Sequence, residues 1–298
     1  MEAAPVNPAD FLFAAGWFGM YPQVPNVMGS EGVGRVLRAG SQAEQALVGQ
    51  RVLILPTFTH ATWADRTVVP ARYAIPVTGD IDVRQLAMLA LNPVTARALL
   101  NDYVSLNPGD WIGLTLANSA VGQIVIALAK WAGLNVLAVV RREEAAQRVR
   151  ELGADLVIVD GDNFGGRAAQ ALAGARLRLL LDGTGGPQVA ELVPSISDGG
   201  AVVSYTSMTG QAPTLPLADF IFRGISLASF FMPIWIRDTP RPEKERIYAE
   251  LTELAEKGVI SVPVEATYPL HQYREAFAHA AREGRSGKIL FTFEQPAA

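Results

Sequence analysis

The chain has 298 residues, half of them hydrophobic and 18% charged, with a formal net charge of -4 at pH 7. That length suits one large domain or, as the better reading, two of ordinary size, and the composition excludes disordered and fibrous classes. No basic block offers a footing for nucleic acid, no apolar run approaches the roughly 20 residues of a membrane span, and the first residues lack the layout of a secretion signal, so a cytoplasmic location is expected.

Cysteine is absent, which removes disulfides, thiolate nucleophiles and thiolate metal sites together. The histidines, His60, His271 and His279, lie far apart and in no HExxH-like spacing, so no metal is expected and they read as surface or loop residues. Small-molecule chemistry is the class that survives.

In chain order, residues 1 to about 90 are rich in Pro and Gly, with strands at 33–37 and 51–55 between turns, and read as a separate, mostly β domain. From about 110 to 205, short apolar runs alternate with amphipathic stretches of helix length, the pattern of a parallel sheet with crossover helices. A strand at 111–116 runs into the small residues Ala117, Asn118, Ser119, Ala120, Val121 and Gly122, then into an apolar helix over 123–131 that Gly133 caps. A strand at 134–140, a helix over 143–152 stopped by Gly153, and strands at 156–159, 177–181 and 201–205 complete a doubly wound α/β architecture. Helices over 242–256, with Pro in the first turn, and 273–282 follow, and 289–293 is a last strand.

In such a sheet a dinucleotide binds past the carboxyl ends of the strands, where the first strand turns tightly into a helix. Small residues at 118–122 let the backbone approach a pyrophosphate, and the helix N-terminus offers free N–H groups and partial positive charge. The spacing only approximates GxGxxG, since Ala120 stands where glycine is usual, and an ordinary tight turn is the alternative. An NAD site wants Asp or Glu at the end of the second strand; here Arg141 and Arg142 stand there. Their guanidinium forks suit the 2′-phosphate of NADPH. The alternative is a solvated pair neutralised by Glu143 and Glu144.

Several segments, in this order, resemble the medium-chain dehydrogenase/reductase superfamily over nearly the whole chain: Asn7-Pro8-Ala9-Asp10, Gly29-Ser30-Glu31-Gly32-Val33-Gly34, Leu91-Asn92-Pro93-Val94-Thr95-Ala96, Asn107-Pro108-Gly109-Asp110 and the turn ending Gly122-Gln123. Zinc-dependent members carry a histidine ligand where this chain has Ser30, so the resemblance points to the zinc-free, quinone oxidoreductase-like branch. It implies a Rossmann NADPH-binding domain over 96–235 and a GroES-like catalytic domain over 1–95, to which 236–298 returns. Members carry further strands before the Asn-Pro segment, so an edge of the first domain is expected to be missing.

Four stretches are similar to the trans-2-enoyl-thioester reductases in particular: Asn118, Ser119, Ala120 and Val121; Arg141 and Arg142; Tyr205, Thr206, Ser207 and Met208; and Phe230, Phe231 and Met232 with Trp235 following. The resemblance assigns NADPH binding to these segments, with Asn92 and Lys288; Phe18 and Trp235 are expected to meet the substrate. It departs at Phe18, which stands where the family has a proton-donating tyrosine. Tyr21 is the substitute donor expected here, with water or the Thr95 hydroxyl as competitors. Phe11, Phe13, Trp17, Phe18 and Tyr21, facing Phe230, Phe231 and Trp235, are expected to make an apolar cleft.

The implied reaction moves hydride from NADPH to the β-carbon of an α,β-unsaturated (2-enoyl) thioester, and Arg237, Arg241 and Lys244 are either phosphate contacts for such a substrate or a solvated loop. Alternatives are a quinone or alkenal reductase and a non-catalytic NADPH-binding protein. Apolar residues at 225–231, near the last sheet strand, suggest a homodimer through a shared sheet edge.

Overall fold

The structure, a computed structural model, describes residues 1–40 and 42–294. Two compact units emerge, one made of Met1–Val94 with Met232–Ala298 and the other of Thr95–Phe231.

The first unit opens with β1 (Ala3–Pro5) and α1 (Pro8–Ala14), and continues through β2 (Gly32–Arg35), β3 (Arg51–Ile54), β4 (Ala74–Pro76) and α2 (Val83–Ala87) to α3 (Asn92–Asn101), inside which the division falls. The second unit is β5 (Trp111–Leu114), α4 (Ala120–Trp131), β6 (Asn135–Val140), α5 (Glu143–Glu151), β7 (Leu156–Val159), α6 (Phe164–Leu172), β8 (Leu177–Asp182), α7 (Gln188–Leu192), β9 (Ile196–Ser204), α8 (Leu217–Phe222) and β10 (Ser226–Ser229). The chain then re-enters the first unit with α9 (Met232–Asp238), α10 (Arg241–Glu256), β11 (Val264–Pro269), α11 (Tyr273–Ala281) and β12 (Lys288–Thr292).

Sheet order in the second unit is β10-β9-β8-β5-β6-β7, with parallel pairing throughout. This is the doubly wound Rossmann order, whose switch point lies between β5 and β8. Near-continuous apolar strands bury Val136, Leu137, Ala138, Leu179, Leu180 and Leu181 completely, as a sheet covered on both faces requires.

In the first unit the order is β11-β12-β1-β2-β3-β4, mixed rather than purely antiparallel because β11 runs parallel to β12. Its opening strand lies antiparallel to its last, Ala3 opposite Thr292 and Pro5 opposite Leu290. Behind this pair Trp63 donates from Nε1 to Pro5 O at 3.0 Å and packs on Phe277 and Phe291. Along α10 the residues Ile247, Tyr248, Leu251 and Leu254 recur at helical spacing and are buried.

Some elements differ from the sequence reading. Helix α1 sits in the Pro- and Gly-rich stretch because Asn7 and Pro8 begin it, the Asn7 N–H donating to Asp10 Oδ2 at 2.9 Å. Helix α6 carries two glycines in its first turn, which masks it to propensity; a Cβ at Gly165 would stand 2.4 Å from the Glu191 carbonyl oxygen, so glycine is needed for the close approach to α7.

Tyr248 is fully buried and its hydroxyl donates to Ala90 O at 2.9 Å. Tyr248→Phe strands that carbonyl, and the expected loss is about 1–3 kcal/mol, read as a lower urea midpoint with unchanged slope.

Candidate functional site

The second unit collects its expected site residues at the carboxyl ends of its strands. After β5, Leu116 takes a left-handed φ of +54° and the chain swings into α4. Ser119 caps that helix, its Oγ accepting from Gly122 N at 3.0 Å. The first amides of α4, at Ala120 and Val121, have no preceding helical carbonyl to bond, which leaves them for an anionic ligand. A Cβ on Gly122 would lie 2.5 Å from the Ala117 carbonyl oxygen. Glycine is therefore obligatory there, the role of the third glycine of a dinucleotide fingerprint.

Arg141 and Arg142 follow β6 and are exposed. Glu143 pairs with Arg150 at 2.8 Å along α5.

Three neighbouring strand ends are joined by buried Asp182. Its carboxylate accepts from Thr115 Oγ1 at 2.9 Å, from the amides of Thr184 and Gly185, and from Ser204 Oγ at 3.3 Å. Thr115 Oγ1 in turn accepts from Gly183 N at 2.9 Å. The Tyr205–Met208 stretch runs along the loop so formed, with Met208 N donating to Gly183 O and Thr209 N to Thr184 O. The Tyr205 hydroxyl is buried without a hydrogen-bond partner, and a Cβ at Gly183 would come 2.7 Å from it. Burial raises its pKa, against the pull of the nearby Ser119 side chain. Phe230 is tied to the same edge, its amide donating to Ser204 O at 3.0 Å. Asn118, Ser119, Ala120, Val121, Arg141, Arg142, Tyr205, Thr206, Ser207, Met208, Phe230 and Phe231 thus share one unit, whereas Met232 and Trp235 fall in the other.

In the first unit, Asn92 and Lys288 are joined by residues to which the sequence reading gave no role. Lys288 Nζ donates to Asn7 Oδ1, Asn7 Nδ2 to Glu31 Oε1 at 2.8 Å, and Leu91 N to Glu31 Oε2 at 2.8 Å, one residue before Asn92. The Asn92 Nδ2 is buried and unpartnered. Burial pushes Glu31 up to about 7, against the opposing pull of Asn7 and Lys288, and Asp10, beside Ser30, up to about 6. Burial also lowers the Lys288 pKa, while Glu31 and Asp10 raise it. The signal in the sequence was Asn-Pro-x-Asp itself, a helix start with an acidic third residue.

Phe18 is half-buried and packs on Phe58 and Trp17, at 5.3 and 5.8 Å between ring centroids. Tyr21 is 75% exposed. The stretch around it is a set of turns after α1 rather than an extended strand, and the Tyr21 ring lies over Gly16, where a Cβ would be 2.0 Å from Cε1. The three cations near 240 are engaged internally: Arg237 with Asp238, Arg241 with the carbonyls of Ala71 and Ala74 and with Glu245, and buried Lys244 with Ile236 O at 2.7 Å. Neither phosphate contact nor solvated loop describes Lys244.

Residues 120–267 match the zinc-binding dehydrogenase family and residues 1–79 the alcohol dehydrogenase GroES-like domain. The mitochondrial enoyl-[acyl-carrier-protein] reductase of Xenopus tropicalis is 33% identical over 284 residues, 93% of this chain and 81% of that protein. A solved complex of Etr1p with NADP and crotonyl-CoA gives a TM-score of 0.80 at 23% identity, covering 98% of this chain and 89% of that one. A mycobacterial quinone oxidoreductase gives 0.87 at 24%, with coverage of 98% and 89%. At those identities the structures speak for the fold alone. The zinc of the first family name does not fit the donors present, since the chain has no cysteine and, among the described residues, no group of three or more His, Asp or Glu is placed for a metal ion.

Asp10 is 1% exposed with Oδ1 unpartnered, so its raised pKa makes a pH prediction. The folded state holds this proton more tightly than the unfolded chain, so Asp10 favours folding below about pH 4 and that contribution is lost as pH rises through about 6. Asp10→Asn retains an acceptor for the Asn7 amide and removes the titration. It is expected to gain on the order of 2 kcal/mol relative to the parent between pH 4 and pH 8, measured by urea unfolding at both.

Proposed function

Because the chain belongs to the medium-chain dehydrogenase/reductase superfamily, close to the mitochondrial enoyl-[acyl-carrier-protein] reductases and to quinone oxidoreductase-like structures, we infer that it is an NADPH-dependent reductase of the carbon–carbon double bond of 2-enoyl thioesters. The observation that carries this reading is the arginine pair after β6 beside a turn in which only glycine fits at 122. The residues present suit NADPH: free amides at a helix start, guanidinium groups in place of a carboxylate, and buried polar atoms lacking partners at Asn92 and Tyr205.

The cofactor supplies hydride; the chain's own residues bind, orient and exclude water. In this proposal the amides of Ala120 and Val121, with Asn118 and Ser119, take the pyrophosphate, and Arg141 and Arg142 take the 2′-phosphate. Tyr205, Thr206, Ser207, Met208, Phe230, Phe231, Met232, Asn92 and Lys288 complete the cofactor contacts, and Phe18 and Trp235 meet the substrate. Tyr21 is proposed as the proton donor to the α-carbon. Its exposed hydroxyl competes with water and the Thr95 hydroxyl for that step, and Tyr21→Phe tests it: a fall in kcat of about tenfold or more assigns the tyrosine, an unchanged kcat leaves the step to water or Thr95.

A second reading, a quinone or alkenal reductase, is favoured by one observation, the phenylalanine at 18, because a quinone needs no enzyme-borne proton at carbon. Steady NADPH oxidation with crotonyl-coenzyme A but not 1,4-naphthoquinone supports the first reading, and the reverse pattern the second. Tight NADPH binding without turnover on any acceptor would leave a binding protein. Replacing Arg141 and Arg142 together by serine is expected to cut the NADPH-over-NADH preference by about a hundredfold, read from binding constants for both nucleotides.

We also propose a homodimer through β10, the edge strand of its sheet, flanked by exposed Phe220, Ile221 and Phe222. Sedimentation checks it, and Leu227→Lys on the same edge is expected to shift the species toward monomer. Among the described residues no helix is long and apolar enough to cross a membrane. A cytoplasmic location belongs to the proposal; the Xenopus relative is named mitochondrial, and cell fractionation tests it.

A further inference from the structure

The outer flank of the first unit carries a polar cluster outside the site described so far. Strand β11 is irregular: its register against β12 shifts between Val264 and Ala266, leaving Glu265 as the extra residue of a bulge. The Glu265 side chain turns to the segment just before β12. Its Oε2 accepts from Ser286 N at 2.6 Å, Ser286 Oγ at 3.1 Å and Gly287 N at 3.2 Å. Its Oε1 lies 2.7 Å from His279 Nε2 on α11, and 3.8 Å from Arg282 Nη2. The other ring nitrogen of His279 is 2.8 Å from the Tyr268 hydroxyl, so the imidazole is held at both ends.

The next residue after this clamp is Lys288. It opens β12, its amide donates to Pro263 O at 2.7 Å, and it pairs with Val264, the first rung of the ladder. A first rung frays unless something beyond it is tied down. Gly287 lies so close to the bulge that a Cβ would stand 2.6 Å from Pro263 O and 2.7 Å from Glu265 N. The carboxylate, the glycine and the bulge therefore act on one short piece of backbone. Extending the pairing of β1 with β12 past Pro5 and Leu290 sets Asn7 opposite Lys288, whose ammonium donates to the Asn7 side chain. Any rotation of the backbone at 287–288 moves that ammonium.

We propose that Glu265, oriented by His279, is a positioning residue that sets the backbone of 286–288 and through it holds the Lys288 ammonium where an anionic dinucleotide cofactor is gripped. This rests on the proposal that Lys288 contacts NADPH. The His279 hydrogen bond, followed by the Ser286 amide, holds the Glu265 carboxyl down at about 2, so it is ionised at any working pH and accepts from the two amides as a charged group.

The test is a double-mutant cycle read by the equilibrium dissociation constant of NADPH, from fluorescence titration in the absence of acceptor. Glu265→Ala is expected to weaken NADPH about tenfold, and Glu265→Gln, which keeps an acceptor for the Ser286 and Gly287 amides, to recover most of it. In a Lys288→Ala background Glu265→Ala is expected to add less than about twofold, because there is no ammonium left to place. Full multiplication of the two effects, or unchanged affinity in Glu265→Ala, overturns the proposal. Unchanged affinity in Lys288→Ala overturns instead the assignment of Lys288 to the cofactor, and the proposal with it. Should Glu265→Ala fail to fold by circular dichroism, Glu265→Gln and His279→Ala run the same cycle, with smaller losses that must again vanish without Lys288. Hydrogen exchange at 286–288 adds a readout independent of the cofactor: faster exchange in Glu265→Ala than in the parent is expected, and parent-like protection in that variant overturns the clamp.

Discussion

The pairing of β1 with β12 constrains everything else in the first unit. Residues 3–5 lie against residues 290–292, so the unit closes only when the chain has returned from the whole of the second one. Contacts of such sequence separation form late and are entropically costly. What compensates is apolar burial beneath them: Ala4, Ile289 and Phe291 are fully buried, with Val6 and Trp63 nearly so. The same pairing sets Asn7 beside Lys288, and thus builds the polar network from opposite ends of the sequence.

That network is a concentrated investment of buried charge. Asp10 and Glu31 are each 1% exposed, and Lys288 is the cation acting on both. Taking such groups out of water costs several kcal/mol each, and the Coulombic return depends on geometry. Hydrogen bonds at Asn7 and Leu91 satisfy both Glu31 oxygens, while one oxygen of Asp10 goes without. Clusters of this kind with shifted pKa values gather at working sites, and here the cluster leads to Asn92 and Lys288 rather than to a metal. In the second unit Asp182 has the corresponding task in simpler form: one buried carboxylate fixes the loops after β8 and β9 by accepting from their backbone and side chains.

Much of the second unit was legible beforehand. Strands β6 and β7 and helices α4 and α5 fall within a few residues of their expected spans, because parallel strands buried on both faces read as apolar runs and their helices as amphipathic ones. Strand β10 was not legible: Ser226–Ser229 is four residues long and half polar, as an exposed edge allows. The first unit was legible only in outline. Its helix α1 hides among prolines and glycines, and the turns after it put Tyr21 on the surface over Gly16, a placement that spacing from Phe18 alone does not give.

The sequence by itself determined the doubly wound half, the small-residue turn ending in Gly122, the arginines after the second strand and the lack of cysteine for zinc, because each is a local pattern whose meaning does not depend on distant residues. Only the tertiary structure decided that Asn7, Glu31 and Lys288 form one chain of hydrogen bonds, that Asp182 joins three strand ends, and that Glu265 leaves its ladder to hold the turn before Lys288. These depend on strand register and on a bulge, and register is fixed by which faces become buried once distant segments meet.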